Sequence, residues 1–152
     1  SPGPEPPRIT PMSHPADHAF TIPVRVYYED TDAGGVVYYA NYLRFFERCR
    51  TEWLRSIGHH QVDLLAEQGV AFVVRSVSCD YLRPARLDDL LTIGLAVEKL
   101  GRAQITFRQF ARRHGSDDDL VSGTVQIVCV KLDAMKTTPI PEFLREKLEA
   151  LQ

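Results

Sequence analysis

The sequence predicts an α+β domain in which an antiparallel sheet packs against one long helix. Three observations carry this. Apolar residues recur at helical spacing over residues 39–57. Four later stretches, Val70–Leu82, Asp88–Leu100, Arg102–His114 and Val121–Leu132, alternate apolar and polar residues in the manner of half-buried strands. The last two flank Gly115-Ser116-Asp117-Asp118-Asp119, strong turn chemistry that makes them a hairpin. At 152 residues, 44% apolar and 25% charged, the chain has room and material for one compact core.

Residues 1–19 hold most of the prolines and almost no aliphatic side chains. Such a segment buries too little surface to offset its ordering entropy, so it reads as a disordered tail, with His14 and His18 solvated. A single domain over residues 20–152 follows. Phe20, Ile22, Val24, Val26 and Tyr28 alternate with polar neighbours and predict a first strand, with Pro23 suiting an edge position. The long helix is expected from Tyr39 to Ile57, its inward stripe formed by Tyr42, Phe46, Cys49, Trp53 and Ile57 and widened by Leu43, Phe45 and Leu54. Gly58 is the expected stop. A short helix over Gln61–Gln68 ends at Gly69, and a closing helix after Pro141 turns Phe143, Leu144 and Leu148 inward. One helix cannot cover both faces of such a sheet, so the long strands predict pairing between subunits.

Composition excludes several functions. A net charge of −2 argues against a broad nucleic-acid surface. Cys49, Cys79 and Cys129 are odd in number and form no Cys-x-x-Cys pair, so neither a disulfide framework nor a zinc site is expected, and a reducing cytoplasm fits. No apolar run approaches the ~20 residues of a membrane span, and no signal-peptide core is visible. Phosphate-loop, dinucleotide-binding and nucleophile-elbow motifs do not occur, and His59 and His60 have no nucleophile motif beside them.

Chemistry concentrates where the first strand meets the long helix, at Tyr28-Glu29-Asp30-Thr31-Asp32-Ala33-Gly34-Gly35-Val36-Val37-Tyr38-Tyr39-Ala40-Asn41-Tyr42. The first amides of a helix lack intrahelical partners and attract negative charge. Two readings of Asp32 fit: a loop aspartate satisfying turn amides, or a base or nucleophile. Two readings of the helix start fit as well. If the helix begins near Tyr39, no capping side chain lies between Val36 and Ala40 and its leading amides are open to a substrate oxygen. If Asn41 is the cap, the helix begins at Tyr42. Asp30 reads as structural, and Tyr38 and Tyr39 as cleft-lining or core. Lys99 and Arg102, around Gly101, and Arg112 with Arg113 are either solvated turn residues or contacts for substrate phosphates.

The run from Asp30 to Tyr42, with Phe46-Glu47-Arg48 and Arg50-Thr51-Glu52 after it, closely resembles hotdog-fold acyl-CoA thioesterases. It is most similar to the YbgC-type branch of the 4-hydroxybenzoyl-CoA thioesterase family, a branch associated with the Tol-Pal cell-envelope system. The likeness continues through Gly69–Arg75 and Tyr81–Asp89 and covers Val24 to Leu132. It implies a hotdog fold, with the sheet wrapped around a central helix, and a homodimer or homotetramer. It implies hydrolysis of an acyl-CoA thioester with no cofactor, CoA being part of the substrate. Asp32 matches the catalytic carboxylate, and Tyr39 the position whose backbone amide polarises the thioester carbonyl, with Gly35 and Val36 shaping the approach. Lys99 and Arg102 fall near the CoA-phosphate contacts. The Tol-Pal branch usually carries His at the position of Tyr39, so side-chain assistance by histidine is lost here while the amide is kept. Alternative readings are a thioesterase for acyl carrier protein and a non-catalytic acyl-CoA-binding scaffold linked to the envelope.

Overall fold

The computed structural model describes residues 19–59 and 61–152. The expected disordered tail, apart from Ala19, lies outside the described residues, as does His60. In chain order the elements are β1 (Phe20–Arg25), a 3₁₀ turn (Tyr28–Asp30), α1 (Asn41–Ser56), α2 (Gln61–Gln68), β2 (Val70–Tyr81), β3 (Leu90–Leu100), β4 (Gln104–Arg113), β5 (Asp119–Lys131), β6 (Lys136–Thr137) and α3 (Glu142–Glu149). The strands form one antiparallel sheet in the order β1-β3-β4-β5-β2, with β6 added on β5. Pro23 sits on the edge strand β1, as its missing donor requires.

The long helix packs over β1, β3 and β4. Its buried stripe is Tyr42, Phe45, Phe46, Cys49, Trp53 and Leu54, and against it lie Leu91, Ile93 and Leu95 of β3, all at 0% exposure. Gly58, at φ +89°, makes the turn that ends the helix. In α3, Leu144 and Leu148 are buried and Phe143 is partly so, the inward set expected.

Three expectations need correction, and one element goes unpredicted. The first strand stops at Arg25 rather than Tyr28. The Asp30 carboxylate accepts the Tyr27 amide at 2.8 Å and draws the backbone out of the sheet, leaving Tyr27 and Tyr28 exposed. The helix begins at Asn41, two residues after the expected start, for reasons given below. Leu43 does not widen the apolar stripe: 100° per residue from Tyr42 carries it to the helix flank, where it is 41% exposed. The two-residue β6 has no sequence periodicity to betray it.

The sheet is unevenly covered. Registry puts Phe72, Val74, Val77, Cys79 and Tyr81 opposite the inward residues Cys129, Ile127, Val125, Gly123 and Val121 of β5. These β2 residues therefore share the helix side of the sheet. Yet Val74, Val77 and Tyr81 are 49%, 41% and 46% exposed, because α1 lies over the opposite half.

Candidate active site

The loop between the 3₁₀ turn and α1 folds as a miniature hairpin. Thr31 bridges Val37, the Asp32 amide donates to the Val36 carbonyl at 2.9 Å, and the Gly35 amide returns to the Asp32 carbonyl at 3.0 Å. Gly35 adopts φ +78°, a conformation costly for any residue with a Cβ. Asp32 Oδ1 accepts the Gly34 amide at 2.9 Å and faces the Val36 amide at 3.4 Å. The modest reading of Asp32 thus holds for one oxygen. Its Oδ2 has no hydrogen-bond partner among the described residues, and the residue is exposed.

Asp30 is the tie between loop and helix. Its carboxylate holds the Tyr27 amide, while its carbonyl accepts both the Tyr38 amide at 3.0 Å and the Asn41 side-chain amide at 2.8 Å. One carboxylate oxygen and the carbonyl are thus both spent within the loop, in keeping with a structural role. Asn41 turns its side chain to Asp30 and so caps nothing; Ala40 stands at the cap position without a side-chain bond. The amides of Asn41, Tyr42 and Leu43 bond to the carbonyls of Tyr38, Tyr39 and Ala40 in a tight first turn, at 2.9, 3.3 and 3.2 Å. That turn consumes the leading amides of the helix. The amides left without a partner among the described residues are those of Tyr39 and Ala40, just ahead of it.

Around these amides stand four phenols. The Tyr39 ring meets Tyr81 edge-on at 5.8 Å and Tyr38 at 4.8 Å, and Tyr42 packs on Tyr81 at 5.9 Å. Tyr38, Tyr39 and Tyr81 are about half exposed, whereas Tyr42 is core. The Tyr42 hydroxyl is buried with no partner among the described residues. Burial raises its pKa, against the Ala85 backbone and the nearby Arg113 cation, which lower it. Tyr81, which local sequence did not single out, joins the site only through β2. Arg86 likewise arrives through tertiary structure, its backbone bridging Val36.

The predicted basic contacts fall elsewhere. Asp32 lies at the end of the sheet where β3 begins, since the loop pairs with residues 85 and 86. Lys99 and Arg102 lie where β3 ends, a strand length of about 33 Å away at ~3.3 Å per residue. One chain does not bring them to Asp32. Arg112 is committed to Asp119 at 2.7 Å and lies over the Phe110 ring, and Arg113 bonds Asp89 at 3.2 Å and the Pro84 carbonyl at 2.9 Å. His59 stacks on Phe143 at 4.7 Å. Among the described residues no three His, Cys, Asp or Glu side chains converge as a metal ligand set. No described helix is long and apolar enough to cross a membrane.

A curled antiparallel sheet around a single long helix, with a carboxylate beside open amides at the helix start, is the arrangement to set beside known proteins. The chain belongs to the thioesterase superfamily, whose family model matches residues 34–118, and its fold is the hotdog fold. It is 46% identical over 136 residues to an acyl-CoA thioesterase YbgC of Haemophilus influenzae, covering 90% of this chain and 98% of that one. It is 46% identical over 126 residues to an acyl-CoA thioester hydrolase YbgC of Escherichia coli, covering 82% and 92%. Among solved structures, a probable thioesterase from Bartonella henselae superposes with a TM-score of 0.75 at 36% identity, over 81% of this chain and 99% of that one. The YbgC-type likeness read from the loop is borne out.

Proposed function

We propose that this chain hydrolyses an acyl-CoA thioester to a free carboxylic acid and CoA. One observation carries the mechanism: the unpartnered amide of Tyr39 lies on the same pinned loop as a carboxylate with one fixed and one open oxygen. The thioester oxygen accepts from the Tyr39 amide; a Cβ built on Gly35 would meet nothing within 4 Å, which leaves room for the approach, and Val36 beside it helps to shape that approach. Asp32 Oδ2 either takes a proton from water as the water oxygen attacks the carbonyl carbon, or attacks that carbon itself to form a mixed anhydride. In both routes the C–S bond breaks and the sulfur leaves as thiolate to be protonated; in the second, water then attacks the anhydride, breaking its C–O bond to release the acid and restore the Asp32 carboxylate. The relatives named above, described as acyl-CoA thioesterases, support CoA as the carrier.

A homodimer through β2 completes this reading. Its open edge and the exposed Val74, Val77 and Tyr81 call for a cover. Two-fold pairing of identical edge strands runs them antiparallel, so the Asp32 end of one chain would meet the Lys99–Arg102 end of its partner. That arrangement supports Lys99 and Arg102 as phosphate contacts despite their distance within one chain. A cytoplasmic location is supported by three free thiols. The link to the Tol-Pal system and an acyl-carrier-protein substrate rest on the family likeness alone.

The test is thiol release across short, long and aromatic acyl-CoAs, with Asp32→Asn as control. The expected loss in the variant is at least 100-fold, with circular dichroism unchanged. Near-wild-type turnover would refute Asp32, and acyl-CoA binding without thiol release by the wild-type protein would favour the scaffold reading. Preference for acyl carrier protein over CoA would move the carrier.

A further inference from the structure

The turn that carries Lys99 and Arg102 is held from outside the sheet. Beyond Leu95, β3 has no β1 beside it, since that pairing runs only from Phe20↔Leu95 to Arg25↔Leu90. On its other side the register with β4 slips between Val97 and Lys99. A strand end with one free edge and a bulge needs other partners for its backbone groups. Residues 140–151 supply them. The amide of buried Val97 donates to the Leu151 carbonyl at 2.9 Å, and the Ile140 amide donates to the Arg102 carbonyl at 2.9 Å. Arg145 Nη2 donates to the Gly101 carbonyl at 2.7 Å and to the Arg102 carbonyl at 3.1 Å. Leu144 and Leu148, each 1% exposed, root α3 in the core on either side of Arg145, so the guanidinium reaches the turn from fixed backbone.

Both carbonyl acceptors are neutral. Among the described residues no carboxylate lies within 4.0 Å of Lys99, Arg102 or Arg145, and the first two side chains are exposed. The grip therefore fixes the turn without compensating its charge. We propose that Arg145 is a positioning residue for the nucleotide end of acyl-CoA. It fixes the backbone at Gly101 and Arg102, which sets the Lys99 and Arg102 side chains for the substrate phosphates before these arrive. The inference rests on the reading above in which those two residues contact CoA phosphates. A turn ordered in advance avoids an ordering cost on binding, and only a ligand that reaches the turn gains from it. Arg145 thus bears on affinity and not on the bond-breaking step at Asp32. α3 lies beyond residues 34–118, the part matched by the family model, so that match assigns Arg145 nothing.

Octanoyl-CoA and octanoyl-pantetheine share the thioester, but only the first carries phosphates. The test measures kcat and KM for both with the full chain, and the Kd of free CoA by calorimetry. Arg145→Met is expected to raise KM for octanoyl-CoA and Kd for CoA about five- to tenfold, with kcat and the KM of octanoyl-pantetheine within about twofold of wild type. Arg145→Lys keeps a donor for the two carbonyls and should stay within about threefold on every measure. The double variant Lys99→Met, Arg102→Met should weaken CoA by about tenfold or more. Should Arg145→Met not fold, Arg145→Gln is read in its place, with about threefold expected on the CoA measures alone. Equal loss on both thioesters in a folded Arg145 variant would make the residue merely structural and overturn the proposal. So would wild-type affinity for CoA in that variant while the double variant loses it. Wild-type affinity in the double variant would remove the phosphate reading of the turn and this inference with it, leaving hydrolysis untouched. Calorimetry with CoA reads the turn whether or not a thioester is cleaved, so failure of the hydrolase reading is seen separately.

Discussion

Asp32 Oδ1 accepts the amide of Gly34 at 2.9 Å, so the carboxylate is oriented by the loop it belongs to. A Cβ built on Gly34 would stand 3.2 Å from that same oxygen. The pair makes orientation of the carboxylate separable from stability of the loop. Gly34→Ala is expected to lower kcat at least tenfold while moving the thermal midpoint little, because only the carboxylate must give way. Gly35→Ala should act chiefly on stability, with any effect on activity falling on KM at the approach rather than on kcat. Its Cβ would meet nothing within 4 Å, but φ +78° costs a residue with a Cβ about 1–2 kcal/mol. Paired kcat and melting measurements check both, and equal activity loss in the two variants would contradict the distinction.

The Tyr39 amide has no partner among the described residues. Tyr39→Pro therefore removes a proposed oxyanion donor without breaking a hydrogen bond seen among the described residues, at a position two residues ahead of the helix. A single donor of this kind is worth roughly 2.7–4 kcal/mol, so kcat should fall about 100- to 1,000-fold. Tyr39→Phe keeps the amide and should retain kcat within about threefold. If Phe proves as damaging as Pro, the phenol and not the backbone acts.

Exposure of Val77 on the inner face of β2 has a consequence for assembly. Val77→Lys places a charge where the proposed two-fold pairing would bury an apolar strip. Sedimentation should then show monomer where the unmodified chain shows dimer or a larger assembly. Activity is expected to fall with assembly if Lys99 and Arg102 act from the partner chain. A dimer that survives the substitution would put the interface elsewhere.

Burial pushes the Cys49 thiol up to about 12 from its ordinary 9.0, and that of Cys129 up to about 11. Folding therefore favours the protonated thiols. That contribution is fully present below pH 9.0 and is lost as pH rises toward 12, since the unfolded chain gives up its protons first. Buried Tyr42 shifts in the same direction. Urea midpoints should decline between pH 8 and pH 10.5, and thiol reagents at pH 8 should leave Cys49 and Cys129 unmodified in the native protein. Rapid modification of all three cysteines would show these sites to be open.

Much of this molecule was legible in one dimension because it rests on periodicity and local chemistry. Period-two alternation located β2 to β5, the 3.6-residue stripe located α1, and Gly58 marked its end. The Asp-Gly loop announced itself through its glycines and through the absence of a cap, an absence the structure keeps at Ala40. The neighbours of Asp30 pointed to a structural part, whereas those of Asp32 left two readings open, and only the family likeness chose between them. Local signals failed where a side chain had a distant choice of partner. Asn41 suits a cap, yet it turns to the Asp30 carbonyl, and the tight turn it allows leaves Tyr39 and Ala40, not the helix amides, unpartnered. Tyr81 reaches the site, and Gln109 grips Arg50, only because strands distant in sequence are registered side by side. The same registry carries Lys99 and Arg102 to the far end of the sheet from Asp32. Sequence by itself determined the main elements and the Asp-Gly loop, since both depend on contacts within a few residues. Tertiary structure alone decided which aromatic wall and which cations stand around them, since those depend on contacts whose partners lie tens of residues apart.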